Sequence, residues 1–233
     1  MKGAFMRKLP ILVLCFCFSL SAFADQVTEL LSSMSQSLET IQNSIYKSDE
    51  ARVYAVKKSV DTAKVVYETK SPIHRETQYA LFTMLIRVRV SQDFFEFVRT
   101  EFNEAYVTRL YADYKTLLDF LGLDDAPYSK VLAGTLKEIL VQVNAVIAVP
   151  SVSESLNEKL KNTLPAIGRA LSLAEQGDRP SAFKEAGIVY HQIANLYGML
   201  DQELTSSRGL YPLYLELVGV NEFLGSYAEA DGR

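Results

Sequence analysis

The chain reads as an all-α protein, a multi-helix bundle of antiparallel helical hairpins with about six to eight helices, following a cleaved signal peptide. Three observations predict this. Apolar residues recur in steps of three and four along most of the 233 residues. Short polar or Gly/Pro breaks separate those runs at lengths suited to helix connections. The one sustained strand-like alternation, Ile86 to Val90, is flanked by helical period on both sides. With 48% hydrophobic and 22% charged residues the chain has the material for a packed core and lacks the composition of a disordered tail.

The N-terminus carries an export pattern in residues 1–24. Basic Lys2, Arg7 and Lys8 precede an apolar stretch from Leu9 to Leu20, and small Ala22 and Ala24 bracket Phe23, so cleavage is expected after Ala24. As a helix the apolar stretch measures about 18 Å, short of a hydrocarbon layer of about 30 Å. Leu14 before Cys15 and Phe16 before Cys17 are too large for lipoprotein processing. Both cysteines leave with the signal, so the remaining chain has no thiol and no disulfide. It also loses three basic residues, which makes it more acidic than the formal −4 of the whole chain. The expected location is periplasmic or secreted, with a soluble mature chain.

The first helix follows from Val27, Leu31, Met34, Leu38, Ile41 and Ile45, with serines on much of the opposite face. After a break at Ser48 and Asp49, Val53, Val56, Val60, Ala63 and Tyr67 predict its hairpin partner. Ser71 and Pro72 form an N-cap followed by a proline at the first helical position, which starts a third helix. Leu81, Leu85, Val88, Phe95, Val98 and Phe102 then keep helical spacing, as one long helix or two in series, to Leu121. A β-hairpin over residues 82–98 is the rival, because Ile86 to Val90 alternate and Ser91 to Asp93 suit a turn.

Gly122 to Ala126 reads as a connector, with an aspartate capping a helix at Pro127. Leu132, Leu136, Ile139, Val143 and Val146 carry that helix to Pro150. Ser151 and Glu154 have capping-box spacing into Leu156, Leu160, Leu164, Ile167 and Leu171, with a kink expected at Pro165. Gly177, Asp178 and Pro180 make a turn into the seam Phe183, Ala186, Tyr190, Ala194, Tyr197, Leu200 and Leu204. An apolar stretch from Leu210 to Leu224 comes next, broken at Pro212, Gly219 and Gly225. The expected organisation is a signal peptide over 1–24, an N-terminal helical half over 25–121, a connector over 122–126 and a C-terminal helical half over 127–228.

The residues that carry chemistry are few. Beyond the signal there are two histidines and no cysteine, which excludes a cysteine nucleophile, a thiolate zinc site and covalent haem attachment. H-E-x-x-H, E-x-x-H, G-x-S-x-G and the phosphate-cradling G-x-x-x-x-G-K are missing from the sequence. No catalytic residue, metal ligand or cofactor is assigned. His74 falls in the first turn of the third helix and reads as a surface histidine.

His191 is flanked by Gly187, Ala194 and Gly198 at helical spacing, and these four form a candidate ligand-binding strip. Mid-helix glycines cost about 1 kcal/mol each relative to alanine, a cost that close approach by a helix or ligand offsets. Tyr106, Tyr111 and Tyr114 on one helix, with Tyr211 and Tyr214 around Pro212, form a candidate partner-binding set, because tyrosine suits half-wet interfaces.

No basic run exceeds two residues, Lys57 and Lys58, so nucleic acid has no electrostatic footprint, and the acidity disfavours anionic membranes. The function expected is that of an exported, noncatalytic binding or adaptor protein of the bacterial envelope acting through protein–protein contacts. The alternative is a periplasmic sensor or carrier of a small apolar ligand with a pocket near His191.

Overall fold

A computed structural model describes the backbone over residues 9–70, 74–123, 131–206 and 209–231, with side chains from residue 25 to 225 within those spans. The described residues form ten α-helices and no strand. Ten exceeds the six to eight expected, because two seams read as continuous are interrupted.

Helix α1, Leu9–Gln42, passes through Ala24 without a break. Its seam Val27, Leu31, Met34, Leu38 and Ile41 is fully buried. A turn containing the 3-10 segment Lys47–Asp49 leads to α2, Glu50–Thr69. Gln42 Nε2 donates to Glu50 Oε1 at 3.0 Å, while Ser35, further back, donates to Asp61, further along, so the two helices run in opposite senses. The serine face of α1 is also covered. Ser33 Oγ donates to Asp113 Oδ2 at 2.5 Å on α5, Glu104–Leu121, and Ser37 is buried.

Over residues 82–98 the backbone is helical, which removes the β-hairpin rival. Helix α3, Arg75–Val90, and α4, Gln92–Phe97, meet at Ser91. His74 caps α3, its Nδ1 accepting from the Glu76 N–H at 3.3 Å. Ser71 and Pro72 lie outside the described residues. The one long helix or two in series expected there are therefore three, with a second break over residues 98–103 before α5. Gly122, at φ 64°, ends α5 in the left-handed region that an L side chain disfavours. The expected caps at Asp124 and Asp125 and the start at Pro127 lie outside the described residues.

Helix α6, Leu132–Ile147, buries the five apolar residues that predict it. Helix α7, Glu154–Gln176, is capped at Ser153, two residues later than the predicted capping box. Ser153 Oγ accepts from the Leu156 N–H, and the reciprocal carboxylate comes from across the fold. Glu203 accepts from both the Ser153 N–H, at 2.8 Å, and its hydroxyl, at 2.7 Å. Pro165 does not interrupt α7: Pro165 and Lys161, whose carbonyl loses its partner, both lie on the exposed face, where that carbonyl is open to solvent.

Gly177, at φ 80°, and Asp178 make the predicted turn into α8, Arg179–Ala194. The seam to Leu204 breaks at Asn195 and Leu196, which separates off α9, Tyr197–Leu204. Helix α10, Tyr211–Asp231, runs unbroken through Gly219 and Gly225. That corrects the expectation that those glycines interrupt it.

The position of α10 explains both glycines. It packs against α2, α6 and α8 and touches α3 and α9. A Cβ at Gly219 would lie 2.3 Å from the Ala51 carbonyl oxygen, and one at Gly225 2.6 Å from the Tyr190 ring. Asn221, between them and fully buried, donates from Nδ2 to the Tyr190 carbonyl at 3.1 Å and to the Tyr197 hydroxyl at 2.8 Å. Side chains from all the longer helices join one buried apolar cluster.

Candidate functional site

The break before α5 is organised by one buried side chain. Asn103 is fully buried; its Oδ1 accepts from the Thr100 N–H at 2.8 Å, and its Nδ2 donates to the Val98 carbonyl and to Ser44 Oγ, each at 3.1 Å. Ser44 belongs to the α1–α2 turn and itself donates to the Ile41 carbonyl at 2.8 Å. A side chain that satisfies turn backbone in this way competes with helix continuation and resets the phase of the next helix. The two turns are thereby joined at one end of the fold.

Helix phase on α4 and the turn after it decide which aromatic rings face water. On a wheel of about 100° per residue Phe94, Phe95 and Val98 share one face and Phe97 falls about 60° outside it. Phe95 and Val98 are buried, whereas Phe97 is 82% exposed. Phe102, expected in the seam, is 77% exposed on the turn, and Tyr46 on the α1–α2 turn is 83% exposed. Sequence reading missed this surface, and the crowding of apolar residues at 94, 95, 97 and 98 was the available signal.

Charge accompanies these rings along the chain. Asp93, Glu96, Glu101 and Glu104 stand within four positions of Phe97 or Phe102, and all four are exposed. Arg99 donates to Glu96 Oε2 at 3.0 Å and to Glu104 Oε1 at 2.6 Å, and so ties α4 to the start of α5 across the turn.

Glu96 and Arg99 also form one end of a groove of about 1030 Å³ along α5, lined further by Arg89, Tyr111, Tyr114 and Lys115. Two of the predicted tyrosines thus meet in one concavity. Tyr114 is nevertheless 4% exposed, and Tyr111 donates to the Val88 carbonyl at 3.2 Å with its ring edge-on to Phe95. Burial pushes the Tyr111 phenol far above its ordinary range, with Glu96 adding to the shift. Tyr106 is half-buried against the core.

No family model, curated protein or solved structure matches this chain. The site therefore rests on its own geometry.

The remaining candidates lie elsewhere. Tyr211 and Tyr214 stack with centroids 6.1 Å apart; Tyr211 donates to Glu50 Oε2 and carries Lys47 over its ring at 4.8 Å, which locks the start of α10 to the start of α2. His191 is exposed and tilted against Tyr190, and Ala194 is half-buried. A Cβ at Gly187 or Gly198 would meet nothing within 4 Å, so no neighbouring helix packs closely on either glycine. Close helix packing on glycine is found at Gly219 and Gly225.

Among the described residues no group of three or more His, Cys, Asp or Glu is placed to hold a metal ion. No helix among them is long and apolar enough to cross a membrane.

Proposed function

We propose that this chain is an exported, noncatalytic helical-bundle protein of the bacterial envelope that works by binding another protein, and that the end of the fold carrying Phe97 and Phe102 is its contact surface. The observation that carries this reading is the outward display of two phenylalanines, 82% and 77% exposed, one ending α4 and one on the turn held by the buried Asn103. Exposed apolar surface has a hydration cost that a monomer minimises by burying the side chain or replacing it with a polar one. Flexible turns can fold such residues away; this turn is pinned at both ends and keeps them presented. Aromatic residues with polar and charged neighbours match the core-and-rim composition of protein interfaces, and holding them in place lowers the ordering cost of binding. The export half of the reading is supported by the basic, apolar and small-residue order of residues 1–24.

Photo-crosslinkers placed at Phe97 and Phe102 in intact cells test the reading. One and the same protein is captured from both positions and not from the exposed control sites Val65 and Val141, 57% and 62% exposed. Capture of nothing at positions 97 and 102, or equal capture at the controls, refutes it. N-terminal sequencing of the extracted protein tests export, the expected first residue being Asp25.

A further inference from the structure

The surface around Phe97 and Phe102 also carries information about what covers it. Four of the twelve residues 93–104 are Asp or Glu and one, Arg99, is basic. That is about three times the acidic density of the whole chain, and all four carboxylates are exposed. Glu96 and Glu104 share the single guanidinium of Arg99, so the segment holds more carboxylates than cations, with Arg89 set back against Gln92 at the other end of α4.

Three kinds of occupant fit unequally. A second copy docked by the same end would oppose one acidic rim to another, because a two-fold contact meets itself. An anionic lipid surface is repelled for the same reason. A wholly apolar partner would desolvate the rim carboxylates without pairing them. A partner with an apolar seam and lysine or arginine beside it satisfies both parts of the surface, its seam on the rings and its cations on the rim.

Resting on the binding reading above, we infer that the end of the fold bearing Phe97, Phe102, Asp93 and Glu101 recognises a basic amphipathic segment of its partner. Phe97 and Asp93 stand four residues apart and share one face of α4, so one strip of the partner meets a ring and a carboxylate together. Arg99 joins Glu96 to Glu104 across the turn, so the cations of the partner are left to Asp93 and Glu101.

The test uses the full processed chain and three synthetic peptides. One has a leucine/phenylalanine seam with lysine and arginine on the other face, the second replaces those cations with glutamate, and the third scrambles the basic peptide to remove its seam. Fluorescence anisotropy should show the basic amphipathic peptide binding best, with affinity falling as salt rises. Asp93→Lys with Glu101→Lys should weaken it by about tenfold or more and favour the glutamate peptide, and Phe97→Ala with Phe102→Ala should weaken it comparably.

All four positions are exposed, so unchanged ellipticity and Tm confirm that these variants fold. Equal binding of the three peptides, or charge reversal without effect, overturns the inference. So does a dimer of the unmodified chain in sedimentation that Phe97→Ala with Phe102→Ala abolishes. The two readings fail separately: capture from Phe97 in cells that persists undiminished in the charge-reversed chain leaves a binding surface but removes its basic partner, whereas no capture at all removes the binding surface itself.

Discussion

Arg87 and Glu138 form an ion pair at 2.5 Å in which the arginine is almost wholly buried, its side chain 3% exposed against 30% for the glutamate. The same guanidinium lies over the Phe223 ring at 4.8 Å and donates to the Ala55 carbonyl at 3.4 Å. One cation on α3 thus touches α2, α6 and α10. Removing one partner of such a pair strands a desolvated charge. Glu138→Ala is expected to cost about 3 kcal/mol, a fall in Tm of roughly 6–12 °C. Arg87→Met with Glu138→Leu should recover more than half of that loss. A double-mutant cycle on thermal unfolding checks it, and strict additivity would show the two residues uncoupled.

Glycine substitutions should change stability in opposite directions at two sites. Gly219→Ala drives a methyl into the Ala51 carbonyl, 2.3 Å away, and should cost about 1–3 kcal/mol because backbone has to move. Gly187→Ala, in the interior of α8 with open space around its Cβ, should gain about 0.4–1 kcal/mol by removing chain entropy from the unfolded state. Denaturant midpoints measured on both variants decide this, and a loss at Gly187 would mean that something does approach that face.

Alkaline pH should unfold the protein cooperatively. Burial raises the phenols of Tyr111 and Tyr197 strongly, and those of Tyr54, Tyr67, Tyr79, Tyr211 and Tyr214 are raised as well. An unfolded tyrosine releases its proton at about pH 10, while the folded one holds it. The folded state therefore binds more protons above that pH. The resulting stability is fully present below about pH 10 and is lost as pH rises towards the folded values. Tyrosinate absorbance and helical ellipticity should change together in an alkaline titration; absorbance rising gradually over an intact helix signal would contradict it. Tyr197→Phe should shift the transition upward while costing about 1 kcal/mol at neutral pH through the lost Asn221 bond.

The seams were legible because burial follows helical period so closely. Val27 to Ile41 and Leu132 to Val146 sit in the core as their spacing requires. The breaks were not, because tertiary partners decide them. Asn103 ends a helical run by bonding to Ser44, 59 positions earlier, a contact that no local pattern announces. Phe102 kept the period of the seam and lost its place in the core when the turn shifted the phase. Tyr111 and Tyr114 were legible as neighbours one turn apart on a helix. Arg87 was hidden for the opposite reason: charge on a buried helical face reads as an interruption until Glu138, 51 positions later, supplies its partner.

Helix α10 gives the fold a particular order of assembly. Glu50 and Tyr211 meet across 161 positions, and Gly219 closes on Ala51 over a similar span. Earlier helices pair among themselves, α1 with both α2 and α5, but α2 and α8 lack their shared partner until α10 docks. Contacts of such sequence separation carry a large loop-closure cost and form late. Cooperative closure of the fold therefore waits on α10, the helix that packs on α2, α6 and α8 together.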